Sequence, residues 1–177
     1  PDREETTPVP YHDANHGRPN ILYRNEGKLA FADVTRELGL DQNNRRFSFA
    51  ASFEDFDDDG DQDLYVANDF GRNNLYRNDG GMFRDVAAEA GVEDIAASMG
   101  VSWADYDGDG RMDLYVSNMF SSAGERVTFQ RNFRPEFDDA TRALFQRHAR
   151  GNSLFRNQGD GTFRDVSIES GTTMGRW

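Results

Sequence analysis

Asp55-Phe56-Asp57-Asp58-Asp59-Gly60-Asp61-Gln62-Asp63-Leu64-Tyr65-Val66 is followed 50 residues later by Asp105-Tyr106-Asp107-Gly108-Asp109-Gly110-Arg111-Met112-Asp113-Leu114-Tyr115-Val116. Both stretches read Asp-x-Asp-x-Asp-Gly-x-x-Asp and then turn apolar. Alternate residues of a tight loop can aim their carboxylates at one point, and a hard cation such as calcium takes about six to eight oxygens. The pattern names Asp55, Asp57 and Asp59 as ligands of one ion, and Asp105, Asp107 and Asp109 as ligands of a second. Gly60 and Gly110 stand at position six, where the chain must bend sharply. Position seven, Asp61 or Arg111, is expected to offer its backbone carbonyl, since an arginine side chain cannot serve a cation. Position nine, Asp63 or Asp113, is expected to bind through both carboxylate oxygens. The competing explanation is that these aspartates only form turns. Charge argues against it: two carboxylates ~4 Å apart repel by ~4 kcal/mol at an effective dielectric of ~20. Magnesium suits such a loop less well than calcium, because it demands a tighter octahedron and keeps its waters. The loop is not an EF-hand, because position twelve holds Val66 and Val116 instead of Glu, and the flanks read as strands.

Working outward, the chain repeats. Asn20-Ile21-Leu22-Tyr23-Arg24-Asn25 recurs as Asn73-Asn74-Leu75-Tyr76-Arg77-Asn78 and as Asn152-Ser153-Leu154-Phe155-Arg156-Asn157. Each copy leads to a glycine (Gly27, Gly80, Gly159) and then to an aromatic-x-Asp-Val stretch ending at Val34, Val86 and Val166. A period near 50 residues marks a solenoid or propeller. One unit reads as four short strands: Phe47 to Phe53, Leu64 to Asn68, Leu75 to Arg77 and Met82 to Val86. The turn Asn78-Asp79-Gly80-Gly81 is a hairpin signal. The expected fold is therefore all-β: a partial β-propeller of four-stranded blades, with calcium loops between the first and second strands and one helical insertion. The expected divisions are a lead-in over 1–19, the second half of a blade over 20–40, and a complete blade over 41–91. A further blade with the start of the next covers 92–177. The register suggests an excerpt from a longer protein. The stretches Val34 to Leu40 and Val86 to Ala90 suit either a helical turn or a loop.

Composition taken alone points elsewhere. The 177 residues carry a net charge of −12, and Val, Ile, Leu and Phe make up about 20 per cent, near the border of disorder. However, 22 of the 32 acids are Asp, a residue of turns and metal loops rather than of acidic tails. Ten of those Asp sit in the two loops. With no Cys, disulfides, thiolate zinc and a cysteine nucleophile are excluded. The charge argues against nucleic acid as a partner, and the absence of a long apolar run argues against membrane insertion. Neither a nucleophile motif nor a phosphate-binding loop is present, so the expectation is a non-enzymatic module.

The insertion runs over 119–150. Pro135, followed by Glu136, Asp138 and Asp139, reads as a helix start, with Phe137, Ala140, Leu144 and His148 at helical spacing and Gly151 as the stop. It holds six Arg and four acids, a net +2 that leaves −14 on the rest. It is expected to be a solvated helix packed on a blade edge; docking of an acidic partner is the sharper alternative. His12 and His16 sit four apart, but the surrounding Pro10, Gly17 and Pro19 favour loop histidines over a metal pair. Phe53, Tyr65, Trp103, Tyr115 and Trp177 are expected in the core between blades rather than as sugar-stacking residues.

The Asp loops, the Asn-x-Leu-Tyr-Arg-Asn elements and the Gly-x-Phe-x-Asp-Val endings together resemble the FG-GAP/VCBS repeats of integrin-α-like propellers, and in particular bacterial relatives of cartilage acidic protein that often carry an ASPIC/UnbV domain. The resemblance implies a seven-bladed propeller with structural calcium at the aspartates named above. It also implies a secreted, cell-surface or periplasmic setting and the binding of a protein or glycan ligand, as in adhesion. No ASPIC/UnbV segment is visible. The alternatives are a self-assembling subunit that pairs with like subunits, and part of a propeller enzyme whose active site lies elsewhere.

Overall fold

The computed structural model describes residues 7, 8, 10 and 13–174. His12 and Trp177 lie outside that set, so the histidine pair and one of the expected core aromatics find no test. The strands form antiparallel meanders. The first pair is β1 (Tyr23–Gly27) with β2 (Ala30–Asp33). The second sheet runs in order β3 (Phe47–Glu54), β4 (Asp63–Phe70), β5 (Asn74–Asp79) and β6 (Met82–Asp85). It is followed by a single helical turn, α1 (Ala87–Ala90). The third sheet contains β7 (Ser98–Ala104), β8 (Asp113–Asn118), β9 (Ser153–Asn157) and β10 (Phe163–Asp165). Between β8 and β9 lie α2 (Ser122–Thr128) and α3 (Asp139–Ala149). The molecule is thus mostly β, and the Asp loops join the first and second strands of each four-stranded sheet.

The recurring polar residues explain the recurring turns. Asn25, Asn78 and Asn157 each accept a hydrogen bond from the backbone N–H of a following glycine: Gly27 at 2.8 Å, Gly81 at 2.7 Å and Gly159 at 2.9 Å. Asp33, Asp85 and Asp165 accept the N–H two residues on, from Thr35, Ala87 and Ser167 at 3.0–3.2 Å. Such local caps stop a strand and start a turn. Gly80 and Gly81 have φ of 65° and 96°, the left-handed pair that a two-residue hairpin needs.

The sheets stack face to face. Every residue of β4 from Asp63 to Asn68 is buried, because this strand is covered on both sides. One side carries Tyr65, Ala67 and Leu75, which meet Leu114, Val116 and Phe155 of the third sheet. The other carries Leu64, Val66 and Tyr76, which pack against Leu40 and Leu22. Complete burial of such side chains stabilises by about 1.5–3 kcal/mol each. Phe56, within the first Asp loop, packs between Trp103 and Phe163 at ring distances of 6.5 and 5.6 Å. Tyr65, fully buried, donates its hydroxyl to the Val92 carbonyl at 2.9 Å. Tyr65 and Trp103 thus sit between the second and third sheets as expected, joined by Phe56, whereas Tyr115 is half-buried and belongs to neither core cluster. Phe53 differs from its repeat counterpart Trp103: it is 48% exposed and lines an apolar groove of about 410 Å³ with Ile21, Phe49, Ala51 and Val66.

The insertion departs from expectation in its boundaries. Its long helix starts at Asp139, four residues after Pro135, because the Asp138 side chain accepts the Thr141 N–H at 2.7 Å and caps it. Capping by Asp outweighs the preference of Pro for a first turn. The helix α2 was not anticipated; Ser121 caps it through the Gly124 N–H. Phe137 and Phe145 stack at 5.6 Å, which joins the approach loop to α3. Ion pairs tie α3 to the third sheet, through Arg147 and Asp165 of β10 at 3.5 Å, and to the loop before β7. The fully buried Asp94 accepts from Arg147 at 3.2 Å and from Asn118 at 2.8 Å. Arg150 binds Asp165 at 3.0 Å.

Candidate metal centres in two Asp loops

Each loop leaves its first strand, turns through glycine, and re-enters the sheet on its last aspartate. Gly60 and Gly110 adopt φ of 94° and 88°, a region that costs other residues strain. Asp55 accepts N–H groups from Asp59 and Gly60 at 3.1 and 3.0 Å, and Asp105 does the same from Asp109 and Gly110 at 3.0 and 2.9 Å. Loop closure is therefore written into the first aspartate. The last aspartate is a sheet residue. Asp63 accepts from Phe56 N–H at 3.1 Å and from Asn78 N–H at 2.8 Å; Asp113 accepts from Tyr106 at 3.2 Å and Asn157 at 2.8 Å. Both are buried.

The structure brings together Asp55, Asp57 and Asp63, each with a carboxylate oxygen within 4.8 Å of the others. Asp59 and Asp61 fall outside that trio: Asp59 accepts the Asp61 N–H at 2.9 Å, and Asp61 accepts the Gly80 N–H at 2.9 Å. In the second loop the trio is Asp105, Asp107 and Asp109, with Asp113 held in its sheet hydrogen bonds. The second trio is the expected set of alternate aspartates, whereas in the first loop Asp63 stands with Asp55 and Asp57 in place of Asp59.

Electrostatics separate the two sites. Burial pushes Asp63 up to about 6, against the pull of its two backbone donors. Asp57 is also raised, by burial first and by the charge of Asp59 second. Its Oδ1 is shut off from solvent and has no hydrogen-bond partner, a costly state for a carboxylate oxygen. That donor set suits a hard cation. In the second loop Asp113 is raised by burial as Asp63 is, but Asp109 moves the other way: burial raises it, and the Arg111 N–H and the guanidinium groups of Arg156 and Arg111 outweigh that and lower it.

Residues 55–116 match the model of an FG-GAP-like repeat. The match opens on Asp55, spans both loops and ends on Val116, the apolar strand residue after the second loop. No curated protein matches the chain. The FG-GAP-like match therefore covers the last three strands of the second sheet and the first strand and most of the second strand of the third, the region that holds both trios.

Arginine side chains complete the picture, and here the motif reading stopped short. Arg111 was expected to act through its backbone alone; its side chain folds back onto Asp109 and reaches the Asn157 carbonyl at 3.3 Å. Arg156 lies 2.7 Å from Asp107 and 3.3 Å from Asp109. Its counterpart Arg77 turns to Asp79 instead, with contacts of 2.9 and 3.0 Å. A polar cavity of about 470 Å³ lies between the loops, lined by Asp57, Asp58, Arg77, Arg111 and Asp160. The signal was present in the third copy of the element, Leu154-Phe155-Arg156-Asn157, but its consequence needs the fold to bring Arg156 onto a loop some 47 residues earlier.

Proposed function

We propose that this chain is a calcium-binding β-propeller repeat module, non-enzymatic, in which the ions are structural and clip the first two strands of each blade. The observation that carries this is Asp57 Oδ1, shielded, without a donor, and gathered with Asp55 and Asp63. A divalent cation would replace three-way repulsion with coordination. The ligand positions are Asp55, Asp57, Asp59, Asp61 and Asp63, and Asp105, Asp107, Asp109, Arg111 and Asp113, with Asp61 and Arg111 acting through carbonyl oxygens. Support for the propeller comes from the stacking itself. The face of the second sheet that carries Leu64, Val66 and Tyr76 repeats the Leu114, Val116 and Phe155 face that the third sheet buries. A further blade would cover it in the same way.

By the resemblance to integrin-α-like propellers, the setting is extracellular, cell-surface or periplasmic, and the partner is a protein or glycan ligand. Calcium titration by calorimetry tests the core of this reading: uptake of two ions is expected, and absence of uptake together with a melt unchanged by chelator would sink it. The apolar groove beside Phe49 and Phe53 favours, as a second reading, association with like subunits. Light scattering with and without calcium separates the two, since a monodisperse monomer speaks against self-association.

A further inference from the structure

The three Leu-(Tyr/Phe)-Arg-Asn elements end on different residues: Glu26, Asp79 and Gln158 follow Asn25, Asn78 and Asn157. The arginine of each element responds to that residue. Arg24 pairs with Glu26 at 2.7 Å. Arg77 pairs with Asp79 through two hydrogen bonds. Gln158 offers no charge, and its side-chain amide donates to the Arg156 carbonyl at 3.1 Å. Arg156 therefore reaches across to Asp107 and Asp109.

We infer that the residue after the Asn of each element is a positioning residue that sets the cation affinity of the neighbouring Asp loop, by deciding whether the element's arginine is held on the hairpin or lies on the loop carboxylates. This inference rests on the calcium reading above. An arginine on Asp107 and Asp109 is a resident monocation that an incoming ion must displace. At the first loop Arg77 makes its ion pair with Asp79, so Asp57 feels its charge across the cavity they share without an ion pair to it. The two loops thus differ in affinity through residues that belong to neither.

The test is a reciprocal exchange read by calcium calorimetry, with the other loop silenced by Asp57→Ala or Asp107→Ala. Gln158→Asp is expected to tighten the second site about fivefold, and Asp79→Gln to weaken the first by a similar factor, the size of a partly exposed ion pair. A new negative charge alone would also attract calcium, so Gln158→Asp is repeated on an Arg156→Gln background. The gain should vanish there if it acts through Arg156, and the double-mutant cycle measures that coupling. A gain that persists without Arg156, or calcium uptake at both sites indifferent to either exchange, would overturn the inference and leave the calcium reading intact. No uptake by the wild-type chain would overturn both.

Discussion

The two Asp loops share a backbone and differ in their cations. Both close on the first aspartate, turn through a left-handed glycine and anchor the last aspartate in the sheet. The first crowds six aspartates into nine residues, and burial and the charge of Asp59 push Asp57 up against the opposing charge of Arg77, which is hydrogen-bonded to Asp79. The second has four aspartates and two arginines folded onto them, so Asp109 is pushed down. One loop is an anion cluster in need of a counter-ion; the other carries much of its own. A repeated motif does not imply repeated energetics.

The largest effect that can break this comparison is chelation. At free calcium a hundredfold above its dissociation constant, a bound site adds about 2.7 kcal/mol, which corresponds to roughly 5–10 °C in melting temperature for a chain of this size. Scanning calorimetry on Asp107→Ala and Asp57→Ala, each with and without chelator, separates the contributions. The chelator-induced drop should be larger in Asp107→Ala, which keeps the first site. Equal drops would dissolve the distinction.

The second test concerns what the loops share. Asp63→Asn and Asp113→Asn each point an amide N–H₂ at a backbone donor that the lost oxygen had accepted. Each should cost about 1–3 kcal/mol in denaturant melts run without calcium, with similar values for the two. A large inequality there would mean that the sheet anchors are not equivalent after all.

Smaller still is Asp57→Ala, expected to weaken uptake at the first site by about tenfold or more (about 1.4 kcal/mol) and to spare the second, as read by calorimetry. Loss at both sites would mean that the two loops are coupled. The smallest effect is that of Arg111→Gln. This partly exposed side chain pairs with Asp109, and its removal should sharpen second-site uptake by no more than a few-fold, the equivalent of about 0.2–1 kcal/mol.

Much of the fold is legible in the sequence. Phe47–Glu54, Asp63–Phe70, Asn74–Asp79 and Met82–Asp85 lie within a few residues of the expected strands, because short apolar runs bounded by Asn, Asp and Gly leave the backbone few alternatives. The stretch after Val86, open between helix and loop, became the turn Ala87–Ala90, closed by Gly91 in a left-handed conformation. The insertion was harder. Its composition pointed to a helix, but the start moved from Pro135 to Asp139 and α2 escaped notice, because a serine cap followed by mixed residues carries weak periodicity. Phe53 and Trp103 occupy one repeat position, yet only Trp103 packs into the core between the two four-stranded sheets; Phe53 faces the segment of Ile21, Leu22 and Leu40, which leaves a groove beside it.

By itself the sequence determined the repeat, the four-stranded unit, the position of the loops and the identity of the acids in them. All of these depend on residues close together in the chain, where spacing and turn chemistry act directly. The tertiary structure alone decided which carboxylates meet, which oxygen is left without a donor, and which arginine lies on which loop. Those outcomes depend on contacts between residues tens of positions apart, such as Arg156 with Asp107, and on the burial that makes an uncompensated charge costly. Local pattern can place an aspartate in a loop; only packing brings a cation to it.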